Sequence, residues 1–532
     1  MKKAIYIFTT MILVLMFSAC TDDFAEINKH PHLLTDEDLQ QDFNHLGAFY
    51  QPLLRATYFG RTTDRHQIQH NLTHESFIRH LATPSVFAGG VNNTTYHITW
   101  NTYWGHVYAE VMSPANHVMN VAIEGEYEVF EKWARLLQVV AASRLTAYHG
   151  PIIYSDYGSA DQTVYYDSEE VLYNHLFNDL DEILAVFYDN RDYMGLAKFD
   201  ATYGGNLNAW VRFINSWRLQ LAIRLSKVAP ALAQAEGEKA INHPGGLILS
   251  NNDNMKISLY GSTHPYSIMN FSWNDTRMSA TMESVLVGYQ DGRIRRFFEP
   301  VTDLTLVEDH PSWPYKGVRN AGYNEAKNLR VPYSTMSRRY ETATDQAFFT
   351  ASQVHFMMAE AALRGWAGTE TAGHHYEEGI RASFAEWGAA GIEDYLLDDT
   401  KLPIDYVDPM AEGDVNSFVN RINVTVMWDE SASNEVKLER IMTQKWIATF
   451  LNSVETWVDH RRTGYPRLPY NYRNESTQTW GVIPDDDFLR RMPFVPAERN
   501  NNPAGVADAT QKLGGPDLIS TRLWWDTGGP NF

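Results

Sequence analysis

The sequence predicts a mostly α-helical protein: a helical scaffold, one hairpin of which has tetratricopeptide size, that carries a loop-rich stretch. Three observations predict it. Apolar residues recur at steps of three and four over several long stretches, the spacing that lines up one face of a helix. Two of these stretches, Ala351 to Gly365 and His374 to Trp387, are joined by a short glycine-containing turn and have the size of one tetratricopeptide hairpin. Between about 241 and 340 the periodicity fades, and Gly, Pro, Asn, Ser and Tyr dominate.

In chain order, the first element is a leader. Lys2 and Lys3 precede an apolar run from Ala4 to Phe17, which has the layout of a secretory signal rather than of a membrane span. Phe17-Ser18-Ala19-Cys20 follows, and Cys20 is the only cysteine of the 532 residues. A lone cysteine in an exported chain cannot form an internal disulfide, so it calls for another role. Acylation after cleavage supplies one, and more than one acyl chain makes membrane residence stable. Residues 1–19 are therefore expected to be a lipoprotein signal, 20–45 a lipidated tether ending in a helix, and 46–532 one domain with its loop-rich insert at about 241–340.

Helices are expected from Trp100 to about Val121, from Phe130 to Tyr148 with Gly150-Pro151 as the stop, and over 168–188 behind a serine cap and two acids. The clearest runs from Asn206 to Ala229, where Leu207, Trp210, Phe213, Trp217, Leu221 and Leu225 form one stripe and Pro230 is expected to end it. Met282 to Gly288 reads as a short helix within the loops. After the hairpin a long helix is expected from Asn434 to about Val458. The last seventy or so residues lose periodicity and are expected to wrap around the scaffold.

The formal net charge is −21, and it becomes two units more negative when the leader with its two lysines is removed. Phosphates would be repelled, so a nucleic-acid partner is excluded. The chain holds 15 Trp, 29 Tyr and 25 Phe, a supply of flat faces for sugar rings, although most such residues serve as core. Asp485-Asp486-Asp487 reads as a turn and His374-His375 as a solvent-facing helix start. His70, His74 and Glu75 do not complete a His-Glu-x-x-His zinc motif. No metal site, cofactor or catalytic residue is expected.

Several segments together resemble the SusD/RagB-like family of Bacteroidetes nutrient-binding lipoproteins. They are the lipobox, with Phe17 where leucine is usual; Thr21-Asp22-Asp23, similar to a surface-export signal; and Asp23-Phe24-Ala25-Glu26-Ile27-Asn28 with Pro31. Asn215-Ser216-Trp217-Arg218-Leu219-Gln220-Leu221-Ala222, Ala359-Glu360-Ala361-Ala362-Leu363-Arg364-Gly365-Trp366 and Gly379-Ile380-Arg381-Ala382-Ser383-Phe384 continue the match. The most specific run is Gln444-Lys445-Trp446-Ile447-Ala448, leading to Glu455-Thr456-Trp457 and Arg461-Arg462-Thr463-Gly464-Tyr465-Pro466. Arg491-Met492-Pro493-Phe494-Val495-Pro496, with Glu498 and Asn500, and Leu523-Trp524-Trp525-Asp526 close it. The resemblance implies a mostly α SusD-like fold, a tetratricopeptide-type helical hairpin scaffold with a loop-rich second lobe, and a lipid-anchored, surface-exposed outer-membrane protein. It implies a lid on a SusC-like TonB-dependent transporter that captures oligosaccharides, or peptides, without chemistry. A tethered binder raises the local concentration of ligand at the transporter. Arg461 and Arg462 are read as structural, pairing carboxylates or capping helices.

No family motif transfers a ligand contact, so the candidates come from loop chemistry: an exposed aromatic beside amides and charged groups. Pro84 to His97 offers Asn92, Asn93 and Tyr96 beside a Gly-Gly hinge. Tyr260 to Asp275 offers Tyr260, His264, Tyr266, Trp273, Asn274 and Asp275, and a further loop offers Trp313, Tyr315 and Tyr323. Trp273 and Trp313 rank first; Trp100 and Trp104 are expected to pack on the first helix. A glycoside hydrolase is the enzymatic alternative, but it needs two carboxylates across a cleft, and the abundance of acids singles out no pair.

Overall fold

The structure, a computed structural model, describes residues 41–161, 163–323 and 326–532. The leader, Cys20 and most of the expected tether lie outside these residues. The chain divides into a unit up to Ala48 and a unit from Phe49 to Phe532. The described part of the first holds a 3-10 turn, Gln41–Phe43, and one helical turn, Asn44–Gly47. Among the described residues no helix is long and apolar enough to cross a membrane.

The second unit is helical, as the periodicity predicts. Its first helices are α1 (Tyr50–Ala56) and α2 (Thr63–His66), the latter running on as a π-helical stretch, Gln67–Glu75. Next come α3 (Tyr103–Val107), a π-helical stretch Tyr108–Met112, α4 (Ser113–Glu124) and α5 (Glu128–His149). Glu128 and Glu131 complement the α5 N-terminus. Gly150 stops it at φ 85°, a left-handed conformation that costs glycine little. α6 (Glu169–Asp189) is capped by Ser168, and α7 (Leu207–Arg224) by the Asn206 side chain.

One expectation fails next: α7 ends at Arg224, and Pro230 opens a helix, α8 (Pro230–Ile241). Proline at the first helical position loses no hydrogen bond, because that N–H has no partner inside the helix. The short loop helix is real, as α9 (Ala280–Gly288). The predicted hairpin is α10 (Ala351–Leu363) with α11 (Ala372–Trp387). The long helix expected from Asn434 is two, α12 (Asn434–Ala448) and α13 (Ser453–Thr463). The break falls at Thr449–Asn452, where Leu451 takes φ 69°. Periodicity missed it because both helices bury apolar residues on the same scaffold. The terminal segment keeps only α14 (Pro496–Asn501) and α15 (Pro503–Lys512).

Neighbouring helices pack in sequence, α4 on α5, then α6, α7 and α8; α10 packs on α7, α11 and α12. Connections of a few residues make α4 and α5, α7 and α8, and α10 and α11 antiparallel neighbours. Trp133, Trp210, Trp217 and Trp446 are buried between them. Buried ions tie the layers. Arg218 reaches Asp181 at 2.6 Å and also Glu236, joining α6, α7 and α8. Arg224 meets Glu455 at 2.6 Å. Arg462 holds Glu360 through two bonds of 2.6 and 2.7 Å, joining α13 to α10. Arg461 lies 3.5 Å from the Trp457 ring centroid and donates to the Ala147 and Arg490 carbonyls. The two motif arginines are thus structural.

The loop-rich lobe has little ladder to satisfy its backbone. Two antiparallel pairs serve it: β1 (Leu81–Ala82) with β3 (Arg277–Met278), and β2 (Met255–Ser258) with β4 (Asp345–Phe349). Ala82, Val301, Leu306, Val307, Val318 and Tyr333 form its small apolar core. Buried acids do the rest. Glu283 accepts from Lys316 Nζ and from the Gly317 backbone N–H, each at 2.6 Å. Asp408 accepts from Arg330 at 2.9 Å and from Asn416 at 2.8 Å.

Candidate functional site

The first candidate loop is built on Asn92. Its side chain accepts from the Thr94 N–H at 3.0 Å, while Thr95 Oγ1 accepts from the Asn92 N–H at 3.1 Å, a reciprocal cap on one 3-10 turn. Asn93 is consumed structurally: buried, it accepts from the Thr99 and Trp100 N–H groups at 2.8 and 3.0 Å and donates to the Trp100 carbonyl at 2.7 Å. That clamp keeps Trp100 off the helix, which starts at Tyr103 instead. The expectation that Trp100 packs on a helical face is therefore corrected. It is half-buried in an irregular segment, with the Phe87 ring edge-on at 6.4 Å. Trp104 is on the helix and buried, as expected.

Tyr323 is 48% exposed, and Tyr472, 39% exposed, meets it edge-on at 5.7 Å. The Arg473 guanidinium lies 5.0 Å from the Tyr323 ring centroid and pairs with Glu475 at 2.9 Å. Backbone bonds knit three loops here: Arg473 donates to the Ala321 carbonyl and Glu475 to the Thr95 carbonyl, both at 2.8 Å. Between the loops lies a small polar recess lined by Ser76, Asn92, Thr94, Arg319 and Asn320, among others. Burial pushes the Arg319 guanidinium down to about 9, so it remains a cation at neutral pH. Asn320 donates to the Leu81 carbonyl at 2.7 Å, and its Oδ1 is buried without a hydrogen-bond partner among the described residues. Exposed rings beside a cationic, amide-bearing recess match the chemistry sought in the sequence. Tyr323 was legible there; Tyr472, Arg473, Arg319 and Asn320 were not. The only signal for Tyr472 and Arg473 was an Asn- and Tyr-rich run, residues 470–474, in a tail read as wrapping; Arg319 and Asn320 carried none.

The other candidates scatter. Trp273 is 37% exposed, and its carbonyl accepts from Lys327 Nζ at 2.8 Å; the same Nζ pairs with Asp275 at 2.6 Å. Trp313 is half-buried 4.9 Å from the Arg295 guanidinium, in a separate hollow of about 330 Å³ with Tyr395 and Lys401. Tyr260, at φ 48°, borders another hollow with Arg55 and Glu110. Tyr96, Tyr266 and Tyr315 are buried, like Asn93, so none of these four offers a face to a ligand in this structure. Tyr266 went inward because it packs on His66 at 5.2 Å and Tyr340 at 6.3 Å. Periodicity could not foresee this in an aperiodic loop.

His70 and His74 touch through their ring nitrogens at 3.1 Å, and His66 stacks on His70 at 4.3 Å. All three are buried, and desolvation holds them well below the ordinary histidine range, hence neutral. Among the described residues no group of three or more His, Cys, Asp or Glu is placed to hold a metal ion. His375, expected to face solvent, is buried, with its Nδ1 3.2 Å from Nδ1 of His355; His374 is exposed. Asp485–Asp487 is a turn and bend, as expected.

With this geometry in hand, comparisons place the chain among known proteins. The family model for SusD and RagB outer-membrane lipoproteins matches residues 26–526. A chitin-binding SusD homologue from Flavobacterium johnsoniae is 39% identical with a TM-score of 0.86, over 92% of this chain and 100% of that one. A SusD homologue from Bacteroides vulgatus is 31% identical with a TM-score of 0.84, over 92% and 100%. One from Bacteroides uniformis is 30% identical with a TM-score of 0.81, over 91% and 99%. No curated protein matches.

Proposed function

This chain belongs to the SusD/RagB family of outer-membrane lipoproteins, and on that basis we propose that it captures an oligosaccharide at the cell surface and passes it to a SusC-like TonB-dependent transporter. Nutrient binding in the outer membrane comes with the family; the ligand class, the transporter and the Cys20 anchor are our reading. The observation that carries it is the corner where exposed Tyr323 and Tyr472 meet edge-on beside the Arg319–Asn320 recess, with half-buried Trp100 tied by Asn93 to the loop whose Asn92 lines that recess. Ring faces take the C–H face of a sugar, and the Arg473 guanidinium beside Tyr323 takes its hydroxyls. The 39% identical chitin-binding relative supports β-linked N-acetylglucosamine oligosaccharides as the ligand.

Capture without chemistry suits such a site. A lid must release what it holds, so modest affinity with fast dissociation serves delivery better than tight binding. Calorimetry with chitohexaose, maltohexaose and a mixed peptide pool tests the reading. Binding of chitohexaose without release of reducing sugar is expected. Binding of peptides alone would replace the glycan reading by a peptide one, and steady release of reducing sugar would make the protein a hydrolase.

A further inference from the structure

We propose that the cleft beside α3 is a second oligosaccharide site, separate from the tyrosine corner; the proposal rests on the glycan reading above. The cleft has a volume of about 930 Å³, that of a ligand pocket. One wall presents the half-buried rings of Tyr108 and Tyr157, 5.5 Å apart, with buried Trp104 packed 5.0 Å from Tyr108. Val495 and Pro496 form part of the facing wall. Arg61 and Arg65 stand at the mouth, exposed and without hydrogen-bond or ion-pair partners among the described residues.

Three features of the cleft have no structural explanation. Gly105 sits inside helix α3, where glycine weakens a helix relative to alanine. It has no positive φ to require it, and a Cβ built there would meet nothing within 4 Å, so no packing partner requires it either. A bare helix backbone facing a cavity lets a ligand approach closely. Second, Gln69, only 4% exposed, lines the cleft while its Oε1 has no hydrogen-bond partner among the described residues, and the buried Oγ1 of Thr102, also on the cleft, has none. Third, two π-helical stretches border the cleft: Gln69 lies in Gln67–Glu75, and Tyr108 and Ala109 lie in Tyr108–Met112. π-Helical turns cost backbone geometry and collect at functional sites. Rings, unsatisfied amide and hydroxyl groups, and guanidinium donors are together what a sugar chain needs.

The test uses Gly105→Leu, which fills the cleft with a better helix former, and Gly105→Ala, which leaves it open. Ala109→Trp is a second filling variant from an exposed position on the same wall. Chitotetraose is titrated calorimetrically into the parent, these variants, and the corner variant Tyr323→Ala with Tyr472→Ala. Two sites per chain are expected in the parent and in Gly105→Ala. One site is expected in both filling variants, with thermal midpoints unchanged or raised for Gly105→Leu, and one in the corner variant. A single parental site, lost in the corner variant and intact in Gly105→Leu and Ala109→Trp, overturns the second site and leaves the capture reading standing. A parent that binds no chitotetraose overturns both.

Discussion

Replacing Glu360 by glutamine removes the charge that buried Arg462 and partly buried Arg364 share. Glu360 is fully buried and accepts two bonds from Arg462, at 2.6 and 2.7 Å, and two from Arg364, at 2.9 and 2.8 Å. Burial alone would raise its carboxyl, but Arg462, then Arg364, outweigh burial and hold it down at about 2, against an ordinary value of 4.5. At 1.36 kcal/mol per unit this difference is worth ~3 kcal/mol, which agrees with the cost of about 3–5 kcal/mol for leaving a buried charge unpaired. With an unfolding entropy of about 2.1 cal/mol/K per residue over roughly 480 residues, the Glu360→Gln midpoint should fall by ~3 °C. The sign with pH follows from the lowered value. The contribution is complete above the unfolded value of 4.5 and is lost as pH falls through about 2. Scanning calorimetry of both proteins at pH 7 and at pH 3 measures the gap, which should be larger at pH 7. A gap within 1 °C at pH 7, or one that widens in acid, would refute the argument that the pair holds α13 to α10.

The remaining predictions concern the site and the histidines. Tyr323→Ala and Trp100→Ala should each weaken chitohexaose binding by about tenfold, ~1.4 kcal/mol, at unchanged thermal midpoint; unchanged affinity in calorimetry would remove the corner as the site. Trp273→Ala and Trp313→Ala lie on other loops, and the same titration decides whether the bound chain extends to either ring. Neutral His66, His70 and His74, held down by burial first and then by nearby histidines and arginines, should destabilise the protein as pH falls below the unfolded histidine value. Each adds up to about 1.36 kcal/mol per pH unit there, so unfolding near pH 5 should take up protons, measured as a dependence of the calorimetric enthalpy on the buffer's ionisation heat. Glu283→Gln should loosen the segment from His310 to Gly317, seen as faster amide exchange there, because Lys316 and the Gly317 N–H lose their charged acceptor.

The helices, their caps and the hairpin were legible in the sequence, because local signals specify them: periodicity marks a buried face, and Ser168, Asn206 and Gly150 mark ends through bonds made within a few residues. The family was legible too, since its motifs are structural residues such as Glu360, Arg461 and Arg462, whose spacing along helices the fold cannot change. Tertiary structure alone decided the rest. Whether Tyr96, Tyr266 and Tyr315 turn inward while Tyr323 turns outward depends on partners far along the chain, and no local period encodes such pairings. Trp100 left its helical stripe because Asn93 claimed its backbone. Loops with little ladder are shaped by whichever distant groups satisfy them, here the Asn416 side chain for the Tyr323 N–H and the Thr95 carbonyl for the Glu475 N–H. The proposed binding corner was therefore present in the sequence only as composition, and its geometry arose when the fold brought three loops together.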